Sequence, residues 1–220
     1  MSSWHERSRL IAGLYARFGA LAVVQSLLFS AVNKLLLFKQ FDLSILTHGQ
    51  LHPNAFNANP GFHTRDASLA DLFSMAKDGR WQINSTKIDN FRAGDRCLLT
   101  CMGETPVGYS WSTTRDHTAI SPYLTISLPK GYLYSYAGLT LDECRGLRLH
   151  GQRHRALLVE AQAKGRSGLF SYAEHVNFAS RAAQRRSGFR RVGSIWQIGS
   201  QRHFVLLRSR WAREWGVRRL

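Results

Sequence analysis

Between Tyr132 and Ile198 the chain alternates strand-type and helix-type runs, and this alternation narrows the possible folds more than any other feature. Tyr132–Thr140 is strand-like, Leu149–Lys164 is helical and closed by Gly165, and Leu169–Val176 is strand-like again. Phe178–Ser187 is helical up to Gly188, and Phe189–Ile198 and Arg202–Arg208 read as a closing hairpin. Such a succession buries its apolar faces as one sheet with helices packed on it. Upstream, Asp95–Met102 and Val107–Ser112 are strands joined by the turn Gly103-Glu104-Thr105-Pro106, and a β-rich run from His117 to Leu128 breaks at Pro122. Ser68 and Asp71 form a capping-box start for a helix running through Leu72, Phe73 and Met75 to Gly79. The expected class is α/β: a central twisted mixed sheet flanked by helices. Arg210–Val217, with Trp211 and Trp215, reads as a basic terminal helix whose polar face is solvated.

Composition sets the scale. At 220 residues, 44% hydrophobic and 20% charged, the chain suits one domain with a sizeable core plus an arm, and it is neither disordered nor collagen-like. Three cysteines, Cys97, Cys101 and Cys144, form no disulfide framework and suit a reducing compartment as buried thiols. The net charge of +16 is concentrated in the last third. Residues 1–144 hold 13 Lys and Arg against 11 Asp and Glu, whereas residues 145–220 hold 17 against three. A one-sided basic field attracts a polyanion: nucleic acid, an acidic membrane or a phosphorylated cofactor.

Near the N-terminus, residues from Phe18 to Asn33 carry no charge, but Arg17 and Lys34 close the run at 16 residues. A spanning helix wants about 20 apolar residues. No small-x-small cleavage site follows, so a leader peptide is not expected. Leu14, Phe18, Leu21, Leu28, Val32 and Leu35 recur at three-and-four spacing, interrupted only by Gln25, which predicts an amphipathic helix packed on the domain. The alternative is contact with a membrane surface, since Arg7, Arg9, Arg17, Lys34 and Lys39 flank the stripe. Phe41–Leu46 reads as a short strand, and the polar loop His48–Pro60 marks the boundary between an arm, residues 1–55, and a domain, residues 56–220.

The passage with the most chemistry follows the strand Tyr132–Thr140, which runs through Asp142–Gly151 into a helix. A strand–loop–helix passage gathers free backbone N–H groups at the positive end of the helix dipole, a natural anion site. Gly146 and Gly151 permit close approach, and Arg145 and Arg148 add charged donors. His150 and His154 share a helix face, but no third ligand has matching spacing, so no metal is expected. Ser180 lacks a His/Asp pairing and reads as a helix-start hydroxyl.

Taken with Asn177-x-x-Ser180 closing one strand and Gly188-Phe189 opening the next, this passage resembles the GNAT superfamily of acyl-CoA-dependent N-acyltransferases. That family carries Val-x-Pro-x-x-Arg-Gly-x-Gly-x-Gly at the end of its fourth strand; here the positions read Thr140-x-Asp142-x-x-Arg145-Gly146-x-Arg148-x-His150. Phe62–Arg65 with its capped helix, and Gly94-Asp95-Arg96 through Gly108–Trp111, match the family's first three strands. The resemblance covers roughly residues 60–208 and lies in order and spacing more than in any single motif. It implies that acetyl-CoA or another acyl-CoA binds as co-substrate against Leu139, Thr140, Leu141, Arg145, Gly146, Leu147, Arg148, Leu149, His150, Gly151, Asn177 and Ser180. Two loop glycines are replaced, by Arg148 and His150; the shifted register Arg148-x-x-Gly151 restores one and ends on Arg153. The tyrosine that many members use to protonate the departing thiolate falls on Gln184.

The implied reaction is direct attack by an amine on the thioester. An amine of pKa about 10 must lose a proton, and the developing oxyanion needs backbone N–H donors. Glu174 is the one carboxylate of the last third near the seam and the candidate base; Tyr134 and Tyr136 are weaker candidates, because alternating strand aromatics usually fill cores. The expected partners are an acyl-CoA and an unidentified amine, in the cytoplasm or at a membrane periphery, and nucleic acid is not expected. The competing classes are a basic binding module for nucleic acid or acidic membrane, and a GNAT-like fold without catalysis. The acceptor groove is expected from loops His48–Pro60 and His117–Pro129.

Overall fold

The computed structural model describes residues 4–50, 59–115, 118–121, 124–200 and 203–219. In chain order the elements are α1 (Trp4–Leu35), β1 (Leu37–Thr47), β2 (His63–Asp66), α2 (Leu69–Lys77), α3 (Ser85–Arg92), β3 (Arg96–Met102), β4 (Thr105–Thr113), β5 (Thr118–Ser121) and β6 (Leu124–Ile126). There follow β7 (Tyr132–Thr140), α4 (Leu149–Ala163), β8 (Gly168–Glu174), α5 (Phe178–Arg186), β9 (Arg190–Gly199), β10 (Phe204–Arg208), α6 (Arg210–Glu214) and β11 (Arg218–Arg219). The main sheet runs β10-β9-β1-β8-β7-β4-β3-β2, and a small sheet runs β11-β6-β5. Only β7 and β8 pair in parallel, joined by the α4 crossover; the other pairs in the main sheet are antiparallel. This is the mixed α/β class read from the alternation.

The alternating side chains of the central strands bury both faces. Phe41, Leu43, Ile45, Tyr134, Phe170 and Ile195 meet Leu124 and Ile126 of β6 and Ala212, Trp215 and Val217 of the C-terminal segment. On the opposite face Leu46, Leu98, Leu133 and Leu169 pack on Leu157, Leu158 and Ala161 of α4. At the far end α2 and α3 cover Cys97, Leu99, Tyr109 and Trp111. The α2 start is the expected capping box, with Ser68 Oγ accepting from the Asp71 N–H at 3.1 Å and the Asp71 carboxylate accepting from the Ser68 N–H at 2.7 Å. The cysteines are buried free thiols, as expected.

Two readings need correction. Residues 37–47, assigned to the arm, lie inside the main sheet: β1 pairs with β8 on one side and β9 on the other, so only α1 stands outside it. Periodicity marks a strand but carries no strand order. Second, α1 does not bury its stripe. Its backbone breaks at Gly19 (φ 78°), and Ala22, Ser26 and Phe29 turn inward while Leu21, Leu28, Val32 and Leu35 are exposed, Leu35 by 92%. Phe18 meets Phe178 at 5.9 Å and Phe29 stacks on His175 at 6.0 Å. The Asn33 side chain ties the helix end to β1, accepting from the Phe38 N–H at 2.8 Å and donating to the Phe38 carbonyl at 2.9 Å. Two aromatic rings, Ala22 and Asn33 therefore make the contact, not the leucine and valine stripe. Helix α3 carries no expectation from the sequence, because Ile88 and Phe91 are its one apolar pair, too short a run to show a period.

Candidate functional site

Strands β7 and β8 are paired only from Tyr132↔Gly168 to Tyr134↔Phe170, and beyond that point they diverge. The gap is a cavity of about 440 Å³ walled by Ser135–Gly138 of β7, Ser171–Glu174 of β8, His150 and His154 of α4, and Asn177, Ser180 and Gln184 of α5. The wall on β7 is not regular strand. Its register with β4 shifts so that Ser110 faces Gly138 while Trp111 faces Tyr136, which leaves Ala137 as an extra residue at φ 41°. A bulge in the left-handed region turns the local peptides off the ladder, and here it does so at the opening.

The floor of the cavity is polar. Arg153 is fully buried and donates from Nε to Ser110 Oγ (2.9 Å), from Nη1 to Thr100 Oγ1 (2.9 Å), and from Nη2 to the Leu139 carbonyl (3.2 Å), Thr140 Oγ1 (2.9 Å) and His150 Nδ1 (3.2 Å). Among the described residues no carboxylate pairs with it. Burial pulls its pKa down to about 10, which still leaves it protonated at neutral pH. Burial also holds His154 down to about 3 and His150 well below the ordinary histidine value, the neighbouring His154 and Arg153 adding to the shift at His150. Both imidazoles are neutral. Because Arg153 can only donate, His150 Nδ1 accepts, and the ring proton is assigned to Nε2. His154 Nδ1 lies 2.9 Å from Ser187 Oγ, and the two rings meet edge-on at 4.2 Å.

Two glycines make room for this network. A Cβ on Gly108 would lie 2.6 Å from Arg153 Nη1, and one on Gly138 would lie 2.6 Å from His150 Cε1. The sequence places His154 on one helix face with His150 and meets Arg153 only as the end of a glycine register, but does not show their buried network; the available signal was polar residues on the α4 face that also carries Leu149, Leu157 and Leu158, opposite glycines in two strands.

Of the expected site residues, His150, Asn177, Ser180 and Glu174 line the cavity. Asn177 is also the N-cap of α5, its Oδ1 accepting from the Ser180 N–H at 3.1 Å. Glu174 lies 3.8 Å from Lys39, another cavity residue. Arg145, Gly146, Leu147 and Arg148 form an exposed loop, and Arg148, at φ 59°, heads α4 without a side-chain cap hydrogen bond, its carbonyl accepting from the Gly151 N–H at 3.0 Å. Arg145 donates to the Thr140 carbonyl at 3.3 Å and pairs with Asp142 at 2.6 Å. Leu139 and Thr140 are engaged by Arg153. Leu141, Leu149 and Gly151 are buried, and Leu149 packs on Val107 and Cys144, so these three residues lie beneath the loop rather than along the cavity lining.

Tyr134 is misplaced in the sequence reading. It is 1% exposed, packed on Phe170 and behind Tyr136 and Tyr172 of the cavity wall without lining the cavity itself, and burial raises its pKa further. Tyr136 does line the cavity, but its hydroxyl donates to the buried Asp95, and burial together with that carboxylate raises its pKa. No cluster of metal-ligating side chains occurs among the described residues. Of the expected acceptor loops, residues 51–58, 117, 122 and 123 lie outside the described residues.

A mixed sheet whose single parallel pair opens into a V beside a bulged strand, with helix N-termini at its rim, is the fold of the GCN5-related N-acetyltransferases. Solved structures share it: a GCN5-related N-acetyltransferase-like protein from Streptococcus suis (TM-score 0.54, 12% identity, 80% of this chain and 66% of that one) and a GNAT-family acetyltransferase from Colwellia psychrerythraea (0.53, 11%, 75% and 57%). A functionally unknown conserved protein from Staphylococcus epidermidis matches similarly (0.50, 11%, 79% and 66%). The chain thus spans about three-fifths to two-thirds of these structures' own length. No protein-family model and no curated protein sequence matches.

Proposed function

We propose that the chain is an acyl-CoA-dependent N-acyltransferase, with acetyl-CoA as its simplest donor, and the divergence of β7 from β8 carries that reading. The basic loop Arg145–Arg148 and the α4 start without a side-chain cap would suit a diphosphate, and the cavity of about 440 Å³, which His150 of the same helix lines, would take the amide-rich arm. The thioester carbonyl would sit at the Ala137 bulge, with backbone N–H groups stabilising the oxyanion. The His150 Nε2–H is a second donor there, fixed by Arg153. A neutral imidazole with so low a pKa is a poor base, so the amine's proton goes to Glu174 or through water to it. Gln184 donates to Ser171 Oγ at 3.1 Å and supplies no acid. The thiolate, with a pKa near 8.5, leaves with hydrogen-bond help alone.

The test is thiol release from acetyl-CoA and longer acyl-CoA donors across a panel of amines, with CoA-dependent thermal stabilisation measured in parallel. Turnover that falls with Glu174→Gln supports the assignment. A fold stabilised by CoA but inert toward every amine would leave only a binding protein, and no stabilisation by CoA would remove the reading.

A further inference from the structure

We infer that α1 is a docking element for a lipid surface bearing anionic headgroups, lying along that surface rather than crossing it. Within Ser8–Leu35 the most apolar 18 residues have a mean hydropathy of 1.5, and only 6% of them are buried against the rest of the chain. Leu21, Val24, Leu28, Val32 and Leu35 follow one another at three-and-four spacing and all face outward, as do Leu10 and Tyr15 before the Gly19 break. A contiguous apolar stripe of that size marks an interaction surface.

The charges select the occupant. Between Glu6 and Asp42 there is no acidic residue, and every charge is positive: Arg7, Arg9, Arg17, Lys34 and Lys39. Arg9, Arg17 and Lys34 are exposed. A second copy of the chain would bring like charges together, with Glu6 at the start of each helix as its one carboxylate against four cations. Nucleic acid would satisfy the cations but leave the leucines in water. An anionic bilayer surface satisfies both, with apolar side chains below the headgroups and cations among them. The helix is held to the body by Phe18 on Phe178, by buried Ala22 and by Phe29 on His175, so its middle cannot leave the domain to span a bilayer. Those anchors adjoin Glu174 and Asn177, which places the cavity beside the surface.

The experiment is co-sedimentation of the full chain with phosphatidylcholine vesicles, with and without phosphatidylglycerol, alongside sedimentation velocity without lipid. The wild type should pellet with the anionic vesicles and be released by salt. Leu21→Glu/Leu28→Glu, at exposed positions that leave the core untouched, should reduce the partition about tenfold or more. Met102→Glu/Val159→Glu, which changes the charge equally at exposed positions on β3 and α4, should not. A wild type that stays in the supernatant overturns the inference. So does equal loss in both double variants, which would reduce the binding to bulk charge. A lipid-free dimer that Leu21→Glu/Leu28→Glu dissociates, without vesicle binding, would assign the stripe to a second copy instead.

Discussion

At the scale of single residues, Arg153 and its neighbours exchange the apolar packing expected beneath a sheet for a fully engaged cation. Each acceptor around it is neutral, so nothing offsets its charge except hydrogen-bond dipoles, and the two nearest histidines answer by staying neutral. That has a pH signature. An unfolded histidine takes up its proton near pH 6.5, whereas burial delays His154 to about pH 3. The unfolded chain therefore binds more protons across that interval, and stability falls as pH drops through it, by up to about 1.4 kcal/mol per pH unit for each such histidine. Asp71, held below the ordinary carboxylate range by Arg65 and Ser68, adds its own loss only below about pH 4. Urea melts between pH 6.5 and 4.5 should thus show a slope that His154→Phe makes shallower by about one proton; identical slopes would mean that His154 is not buried and neutral. Arg145 is a different case. It is exposed and its pair with Asp142 is exposed too, so Arg145→Ala should leave thermal stability near the wild type. If the loop holds the CoA diphosphate, the same change weakens CoA binding by about 1.5–3 kcal/mol, read by titration calorimetry, and unchanged affinity removes Arg145 from the site.

At the scale of elements, the bulged strand β7 and the helix α4 act as a pair, because Gly138 gives His150 its place. In Gly138→Ala the new Cβ would meet His150 Cε1 at 2.6 Å, and the ring, held by Arg153, must turn out of position. Turnover should drop about tenfold or more, and the loss should not add to that of His150→Ala, since both remove the same donor. Additive losses would show that Gly138 matters for another reason. The elements themselves were largely legible: β7, α4, β8, α5, β9 and β10 fall within a few residues of their apolar runs, and Ser68 caps α2 as its spacing announced. Local order was legible too: the Arg145–Arg148 loop and the strand–helix joint at Asn177 and Ser180 fall where the sequence puts them, and Asn177 and Ser180 line the cavity. It was not legible where it depends on which surfaces meet. Tyr134 and Tyr136 alternate along one strand, yet neither offers a free hydroxyl to the cavity. Arg153 looked like a missing small residue until Gly108, Ser110 and Thr100 were seen around it.

At the scale of the whole molecule, the sheet is completed by its first strand. β1 sits between β8 and β9, with seven residue pairs on one side and nine on the other, so the N-terminal segment holds together the half of the sheet that follows the opening. The β8 edge bordering the cavity is braced from behind by β1, and Asp42 of β1 binds His175, Arg181 and Arg191 at 2.9–3.1 Å, tying β8, α5 and β9 together. Helix α1, by contrast, touches the body at a few side chains and exposes most of its apolar surface. Truncation separates the two roles. Residues 36–220 should fold, melt cooperatively and be more soluble than the full chain, because the exposed stripe is gone and every strand of the main sheet remains. Residues 48–220 should not. Losing β1 strips two ladders of partners and uncovers Phe41, Leu43 and Ile45 packing sites in the core, a loss well beyond the roughly 5–15 kcal/mol that holds a domain folded. Circular dichroism melts of the two fragments decide the matter: a cooperative transition in residues 48–220 near the temperature of the longer fragment would show that β1 is dispensable and that the sheet closes without it.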